Sequence, residues 1–217
     1  AKIMGITKPG QIVIMVHCGS RGFGHQIGTD YLKLFLEVMP KYGIEILDKE
    51  LACAPFNSPE GQDYYKAMAC AANMAFANRQ VITHQIRKVF SKVFGRSAEE
   101  MEMNLIYDVA HNIAKLEKHK VDGNMKELLV HRKGATRAFG PARADELPKK
   151  YAKIGQPVII GGSMETGSYL LLGTDEADET FASTAHGAGR TMSRAKAKRE
   201  IRGEQLHKDM EKRGIYV

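Results

Sequence analysis

The chain has 217 residues, 43% of them hydrophobic and 26% charged, which suits a globular protein with one sizeable core or two small ones. Lys and Arg number 32 against 25 Asp and Glu, a formal net charge of +7 that favours a polyanion over a membrane as partner. No apolar run approaches the roughly 20 residues that cross a bilayer, no signal-peptide pattern opens the chain, and Cys18, Cys53 and Cys70 are spaced neither as a disulfide framework nor as a metal knuckle. These features lead to the expectation of one compact, soluble unit in the cytoplasm. The start without an initiator methionine adds the expectation of an excerpt from a larger protein.

In chain order, Gln11-Ile12-Val13-Ile14-Met15-Val16 is short, apolar and rich in β-branched residues, so it predicts a buried strand that delivers the polar loop His17 to Gly22. Beyond Gly24, the apolar residues Ile27, Tyr31, Leu32, Leu34, Phe35 and Val38 recur at helical spacing until Pro40 and Gly43. Ser58-Pro59-Glu60 combines a cap, a proline at the first helical position and early negative charge. A long helix is predicted through most of 59–94, with room for one break. Its inward stripe would be Met68, Ala71, Ala75, Ile82, Ile86, Val89 and Val93, and Gly95 would end it.

Leu105 to Ala110 reads as a strand, and Ile113 to Lys118 continues extended after His111. Asp122-Gly123-Asn124 turns the chain and Leu128 to His131 returns, which makes a hairpin with His111 near its start. Val158 to Ile160 and Tyr169 to Leu172 are further strands around Gly161-Gly162-Ser163, and the chain from about Thr191 is basic and helix-prone.

Three histidines, His17, His111 and His186, each join a strand or turn to polar or glycine-containing sequence. Neutral imidazole ligates first-row metals, and ligands scattered along a chain can converge in the fold. Taken singly, a histidine is more often a hydrogen-bonded structural residue, the reading given to His25, His84, His119, His131 and His207. Arg21 follows His17 by four residues, and Arg190 and Arg194 follow His186 by four and eight. Guanidinium forks four apart on a helix could grip phosphate, although a solvated basic helix has the same composition. Gly187-Ala188-Gly189 after His186, and Gly161-Gly162-Ser163 with Ser168, offer small-residue loops whose backbone N–H groups attract anions. Neither loop matches the P-loop pattern.

Taken together, these segments resemble the RtcB family of tRNA-splicing RNA ligases. The resemblance is carried by His17-Cys18-Gly19-Ser20-Arg21-Gly22-Phe23-Gly24-His25-Gln26, Ala77-Asn78-Arg79-Gln80, Asp108-Val109-Ala110-His111-Asn112, His131-Arg132-Lys133-Gly134-Ala135-Thr136-Arg137, Gly162-Ser163-Met164 and Ser183-Thr184-Ala185-His186-Gly187-Ala188-Gly189-Arg190. They occur in the family's order over nearly the whole chain. The resemblance implies an α+β fold with mixed or antiparallel sheets carrying the site loops and helices packed outside, residues 1–217 forming one catalytic-domain portion of a larger protein.

The resemblance further implies a GTP-dependent ligase acting on tRNA halves or broken RNA ends, with His186 as the nucleophile that becomes a histidine–GMP phosphoramidate. His17 and His111 would be ligands of a manganese pair. Asn112, Gly161, Gly162, Ser163, Met164, Ser168, Gly187, Ala188 and Gly189 would form the guanylate pocket, and Arg21, Arg190 and Arg194 would hold RNA phosphates. A protein activator is a further partner that the resemblance allows, and the sequence does not decide whether one is needed. Glu165 stands where the family's loop carries glycine, and the family's N-terminal metal ligands and C-terminal guanine-contacting lysine are not found, so the chain by itself is expected to be inactive and the intact parent to be the ligase. Two other readings stay open: a metal-dependent phosphatase or cyclic phosphodiesterase, and a non-catalytic RNA-binding module held by backbone phosphate.

Overall fold

A computed structural model describes residues 1–163, 166–187, 192, 194–200 and 202–216, with residues 194 and 195 described by their backbone. It combines helices with small antiparallel sheets, an α+β composition. The chain divides into two compact units, Ala1–Asp108 and Val109–Val217.

The first unit is built on two helices, α1 (Gly22–Val38) and α2 (Pro59–Phe94). Ser58 caps α2 by accepting a hydrogen bond from the Gly61 backbone at 3.1 Å, Pro59 opens it, and Gly95 closes it in the left-handed conformation at φ 63°, as the capping residues predict. The helix runs its 36 residues without a break. Against it α1 packs an aromatic cluster, with Tyr64 5.1 Å from Tyr31 and 5.3 Å from Phe35 between ring centroids. After α1 a 3-10 turn, Met39–Tyr42, ends at Gly43. There the Tyr42 hydroxyl donates to Glu60 at 2.6 Å and Lys41 pairs with it at 3.2 Å. The hydrogen bond from Tyr42 is the main reason the Glu60 carboxyl is pulled down to about 2.

Three sequence expectations need correction here. Gln11 to Val16 is neither a strand nor buried: Ile12 is 79% and Ile14 47% exposed, and no segment among the described residues pairs with this stretch. β-branched composition supplies strand propensity, but a strand also needs a partner for its backbone groups. Leu105 to Ala110 likewise lies outside any ladder. Side chains hold its surroundings instead, with Arg87 donating twice to the Met103 carbonyl and Arg79 pairing with Asp108 at 2.6 Å. Finally, Val89 and Val93 are exposed on α2, whereas Phe90 is the half-buried residue one turn beyond Ile86.

The second unit starts with the hairpin β1 (Asn112–Val121) and β2 (Asn124–Lys133). Asp122 and Gly123 connect them with φ of 52° and 81°, the two positive values that a tight hairpin turn of the right twist demands and that Asp-Gly supplies. Two short antiparallel pairs follow: β3 (Ala135–Arg137) with β6 (Ser183–Ala185), and β4 (Pro157–Ile160) with β5 (Tyr169–Leu172). The three-residue strands β3 and β6 carry no periodicity long enough to be read from sequence. Phe139 is fully buried beside Leu147 and Ala182, and the guanidiniums of Arg137 and Arg143 lie over its ring at 4.2 and 3.8 Å. The basic tail forms α3 (Arg194–Glu200) and α4 (Gly203–Glu211).

Candidate active site

Strand register brings His111 and His186 together. In the hairpin Asn112 faces Lys133, which sets His111, one residue before β1, beside Gly134, one residue after β2. In the next ladder Ala135 faces Ala185, which sets Gly134 beside His186. The backbone bonds follow: Gly134 N–H donates to the His111 carbonyl at 3.0 Å, and His186 N–H donates to the Gly134 carbonyl at 3.4 Å. The two imidazoles are consequently 4.4 Å apart between centroids.

Gly134 makes this approach feasible. Its φ is 67°, and a Cβ built there would lie 3.6 Å from His186 Cε1, so a left-handed residue without a side chain sits under the ring. On the other side Gly161 N–H donates to the His186 carbonyl at 2.9 Å, and Gly161 forms a parallel bridge with Gly187. Gly187 has φ 153° and passes so close to Gly161 that a Cβ would collide with the Gly161 carbonyl. These glycines are needed for backbone-to-backbone contact, which places the β4–β5 loop next to His186.

That loop is closed on itself. Gly162 N–H donates to Ser168 Oγ at 3.2 Å, Ser163 N–H to Thr166 Oγ1 at 2.8 Å, and Thr166 N–H to Ser163 Oγ at 3.2 Å. Hydroxyl oxygens therefore satisfy N–H groups of the kind that bind phosphate oxygens. Asn112 lies exposed at the start of β1. Met164, Ala188, Gly189 and Arg190, with the departing residue Glu165, fall outside the described residues; Arg194 opens α3, where only its backbone is described.

His186 Nδ1 is buried with no hydrogen-bond partner among the described residues. Buried polar atoms are nearly always paired, so an orphan on a site histidine marks a position that a ligand can complete. Imidazole nitrogens can ligate first-row metals. Among the described residues no group of three or more His, Cys, Asp or Glu gathers to hold an ion.

His17 and Arg21 belong to the first unit, and both are exposed. The loop between them is pinned by α2. Asn78 donates to the Gly19 carbonyl at 2.8 Å and to Cys18 Sγ at 3.3 Å, and Arg79 donates to the Cys18 carbonyl at 3.0 Å. Arg21 caps α1 with φ 56° and ψ −137°, an uncommon conformation for a side-chain-bearing residue. Of the histidines read as structural, His119 is buried and bonded to Glu117 at 3.1 Å, while His25, His84, His131 and His207 are exposed.

Residues 1–217 match the family described as tRNA-splicing ligase RtcB. The chain belongs to the RtcB family. It is 56% identical over 209 residues to the tRNA-splicing ligase RtcB of Archaeoglobus fulgidus, covering 96% of this chain and 43% of that protein. It is 57% identical over 218 residues to that of Methanococcus maripaludis, covering all of this chain and 45% of that protein. With the Methanocaldococcus jannaschii protein the identity is 55% over 216 residues, 99% of this chain and 22% of that one. The chain thus spans less than half the length of these RtcB relatives. Gly134, central to the histidine pair, was visible from sequence only as part of a matched stretch, and Asn78 and Arg79 in the same way. Nothing in their spacing assigned them a task.

Proposed function

We propose that the chain is the central and C-terminal catalytic portion of a longer RNA ligase that joins RNA 3′-phosphate or 2′,3′-cyclic phosphate ends to 5′-hydroxyl ends, using GTP and manganese, in tRNA splicing or RNA repair. The observation that carries the reading is His186: a histidine with a buried Nδ1 that has no partner among the described residues, in contact with a second imidazole and flanked by a glycine- and serine-rich loop, in a chain of the RtcB family.

On this reading an imidazole nitrogen of His186 attacks the α-phosphorus of GTP, a P–N bond forms, and pyrophosphate leaves. An oxygen of the RNA 3′-phosphate then attacks that phosphorus, breaks the P–N bond and returns the imidazole. A 5′-hydroxyl attacks the activated 3′-phosphorus, and GMP departs as the phosphodiester closes; a cyclic end is first opened by water. Gly161, Gly162, Ser163, Met164, Ser168, Asn112, Gly187, Ala188 and Gly189 surround the guanylate, the hydroxyls of Ser163 and Ser168 giving way to phosphate oxygens. Arg21, Arg190 and Arg194 take the RNA phosphates, the guanidinium fork matching two oxygens at once. His17 and His111 would hold the manganese pair, which supplies charge neutralisation of the triphosphate and polarisation of the phosphorus. The remaining ligands and any protein activator come from outside this chain.

The test is to incubate the parent protein with manganese and α-labelled GTP. Covalent label that disappears in His186→Ala, together with loss of RNA joining, is the expected result. Turnover of a phosphate ester that needs no GTP and survives His186→Ala would replace the ligase with a hydrolase. The 217-residue chain alone should take up far less label than the parent.

A further inference from the structure

We propose that Arg132, locked by Glu117, is a positioning residue for His186: its buried guanidinium fixes the strained turn from which β6 delivers that histidine. The proposal deepens the reading of His186 as nucleophile and rests on it.

The turn is Phe181-Ala182, immediately before β6. Both residues have left-handed backbone, with φ of 52° and 47°, a region that residues with a Cβ rarely occupy and that persists only where the surroundings impose it. From this turn β6 runs only three residues to Ala185 before the chain reaches His186. So short a strand has little capacity to correct an error in its starting direction.

Backbone bonds hold the turn locally, with Phe181 N–H donating to the Asp178 carbonyl at 3.1 Å, Ala182 N–H to the Ala177 carbonyl at 2.8 Å and Ala138 N–H to the Ala182 carbonyl at 2.7 Å, and one distant side chain ties it to the hairpin. Arg132 Nη2 donates to the Phe181 carbonyl at 2.9 Å and to the Ala182 carbonyl at 3.5 Å, and Nε donates to Ser183 Oγ at 2.9 Å. Ser183 Oγ in turn donates to the Phe181 carbonyl at 3.1 Å. Each nitrogen of this fork bonds the turn or a carboxylate: Nη1 and Nη2 bond the two oxygens of Glu117 at 2.7 and 2.8 Å. Glu117 also contacts His119 Nε2 at 3.1 Å, and the His119 ring meets Phe181 edge to face at 5.5 Å.

The cluster is costly to bury and has no access to solvent. The side chains of Arg132 and Glu117 are 1% and 4% exposed, and that of His119 is 2% exposed. Burial alone would raise the Glu117 carboxyl, but hydrogen bonds from Arg132 and His119 and the nearby positive charges hold it below its ordinary value, so the pair stays ionised. A buried ion pair is weak evidence for stability and better suited to fixing one geometry. This one joins the two strands of the hairpin that places His111, and the remaining bonds of Arg132 reach the turn that places His186. A side chain near the end of β2 therefore sets the second histidine relative to the first.

Three variants separate positioning from folding. Ser183→Ala removes the bond from Arg132 Nε and the bond to the Phe181 carbonyl but leaves the ion pair, Arg132→Lys keeps the charge but loses the fork, and Glu117→Gln keeps the shape but loses the charge. In the 217-residue chain, cross-relaxation between the ring protons of His111 and His186, assigned by histidine-selective labelling, reads the site without any reaction. Circular dichroism and the melting transition confirm that each variant is folded. The expected result is a folded Ser183→Ala variant in which the His111–His186 cross-peak weakens, and folded Arg132→Lys or Glu117→Gln in which it is lost. In the parent protein the rate of guanylate labelling should then fall by up to about a hundredfold with little change in KM for GTP, as expected for misplacement near 1 Å. An undiminished cross-peak in all variants that fold, or a KM effect with unchanged labelling rate, overturns the proposal. If the parent's unsubstituted form takes no label at all, the ligase reading fails, while the cross-peak still decides whether Arg132 positions His186.

Discussion

At the scale of single residues, the pairing of His111 with His186 depends on a position that has no side chain. Gly134 occupies the left-handed region at φ 67°, and the nearest atoms to a built Cβ, His186 Cε1 and Nδ1, are 3.6 and 3.9 Å away. Those distances are ordinary contacts, so Gly134→Ala is disfavoured by backbone conformation rather than collision. The left-handed conformation costs an alanine about 1–2 kcal/mol. The expected outcome is therefore a folded Gly134→Ala protein destabilised by about that amount in urea titration, with the His186 ring displaced. A loss well below 0.5 kcal/mol would mean that the turn relaxes to negative φ and that the histidine pair does not need it. Gly187 differs, because a Cβ there would collide with the Gly161 carbonyl, so its replacement would separate the β4–β5 loop from His186 outright.

At the scale of elements, what could be read from sequence followed the range of the interactions. Helix α2 was legible from Ser58 through Gly95 because capping and periodicity are local, and the β1–β2 hairpin was legible because Asp122-Gly123 sets both turn and register. Gln11 to Val16 was misread because its composition describes a strand's preference, whereas its pairing depends on other chain. The difference has a measurable consequence. A buried strand would lose about 2–5 kcal/mol for each large-to-small substitution, but Ile12 and Ile14 are 79% and 47% exposed, so Ile12→Ala and Ile14→Ala should each shift stability of the 217-residue chain by no more than about 0.5 kcal/mol. Chemical denaturation of both variants tests this, and a loss above 2 kcal/mol in either would restore the buried strand. The strands β3 and β6 escaped notice for the complementary reason: three residues are too few for a period, and each pairs with a segment far along the chain.

At the scale of the whole molecule, the candidate site is long-range, and only its ingredients could be read locally. His111 and His186 meet through two ladder registers, neither of which a single sequence specifies, and neither Glu117 nor Arg132 was given a task by its spacing. Their burial became visible only when the face they share was seen to pack against the turn before β6. The same dependence gives the second unit its centre. Phe139 directly follows the residues that extend β3, is fully buried, and is covered on its faces by Arg137 and Arg143, the first of which also bonds Gln156 at 3.0 Å. Gln156 N–H donates to the Phe139 carbonyl at 2.8 Å and leads into β4. Removing the ring would therefore leave a cavity and also deprive two guanidiniums of their aromatic contact, so Phe139→Ala should cost about 3–5 kcal/mol. Because β3 pairs with β6 and Gln156 leads into β4, hydrogen exchange should accelerate together in β3, β4 and β6, and the His111–His186 contact should weaken with it. Exchange that rises only at residues adjoining Phe139, with β6 still protected, would show that the clamp on the Phe181-Ala182 turn holds His186 in place without the core beneath it.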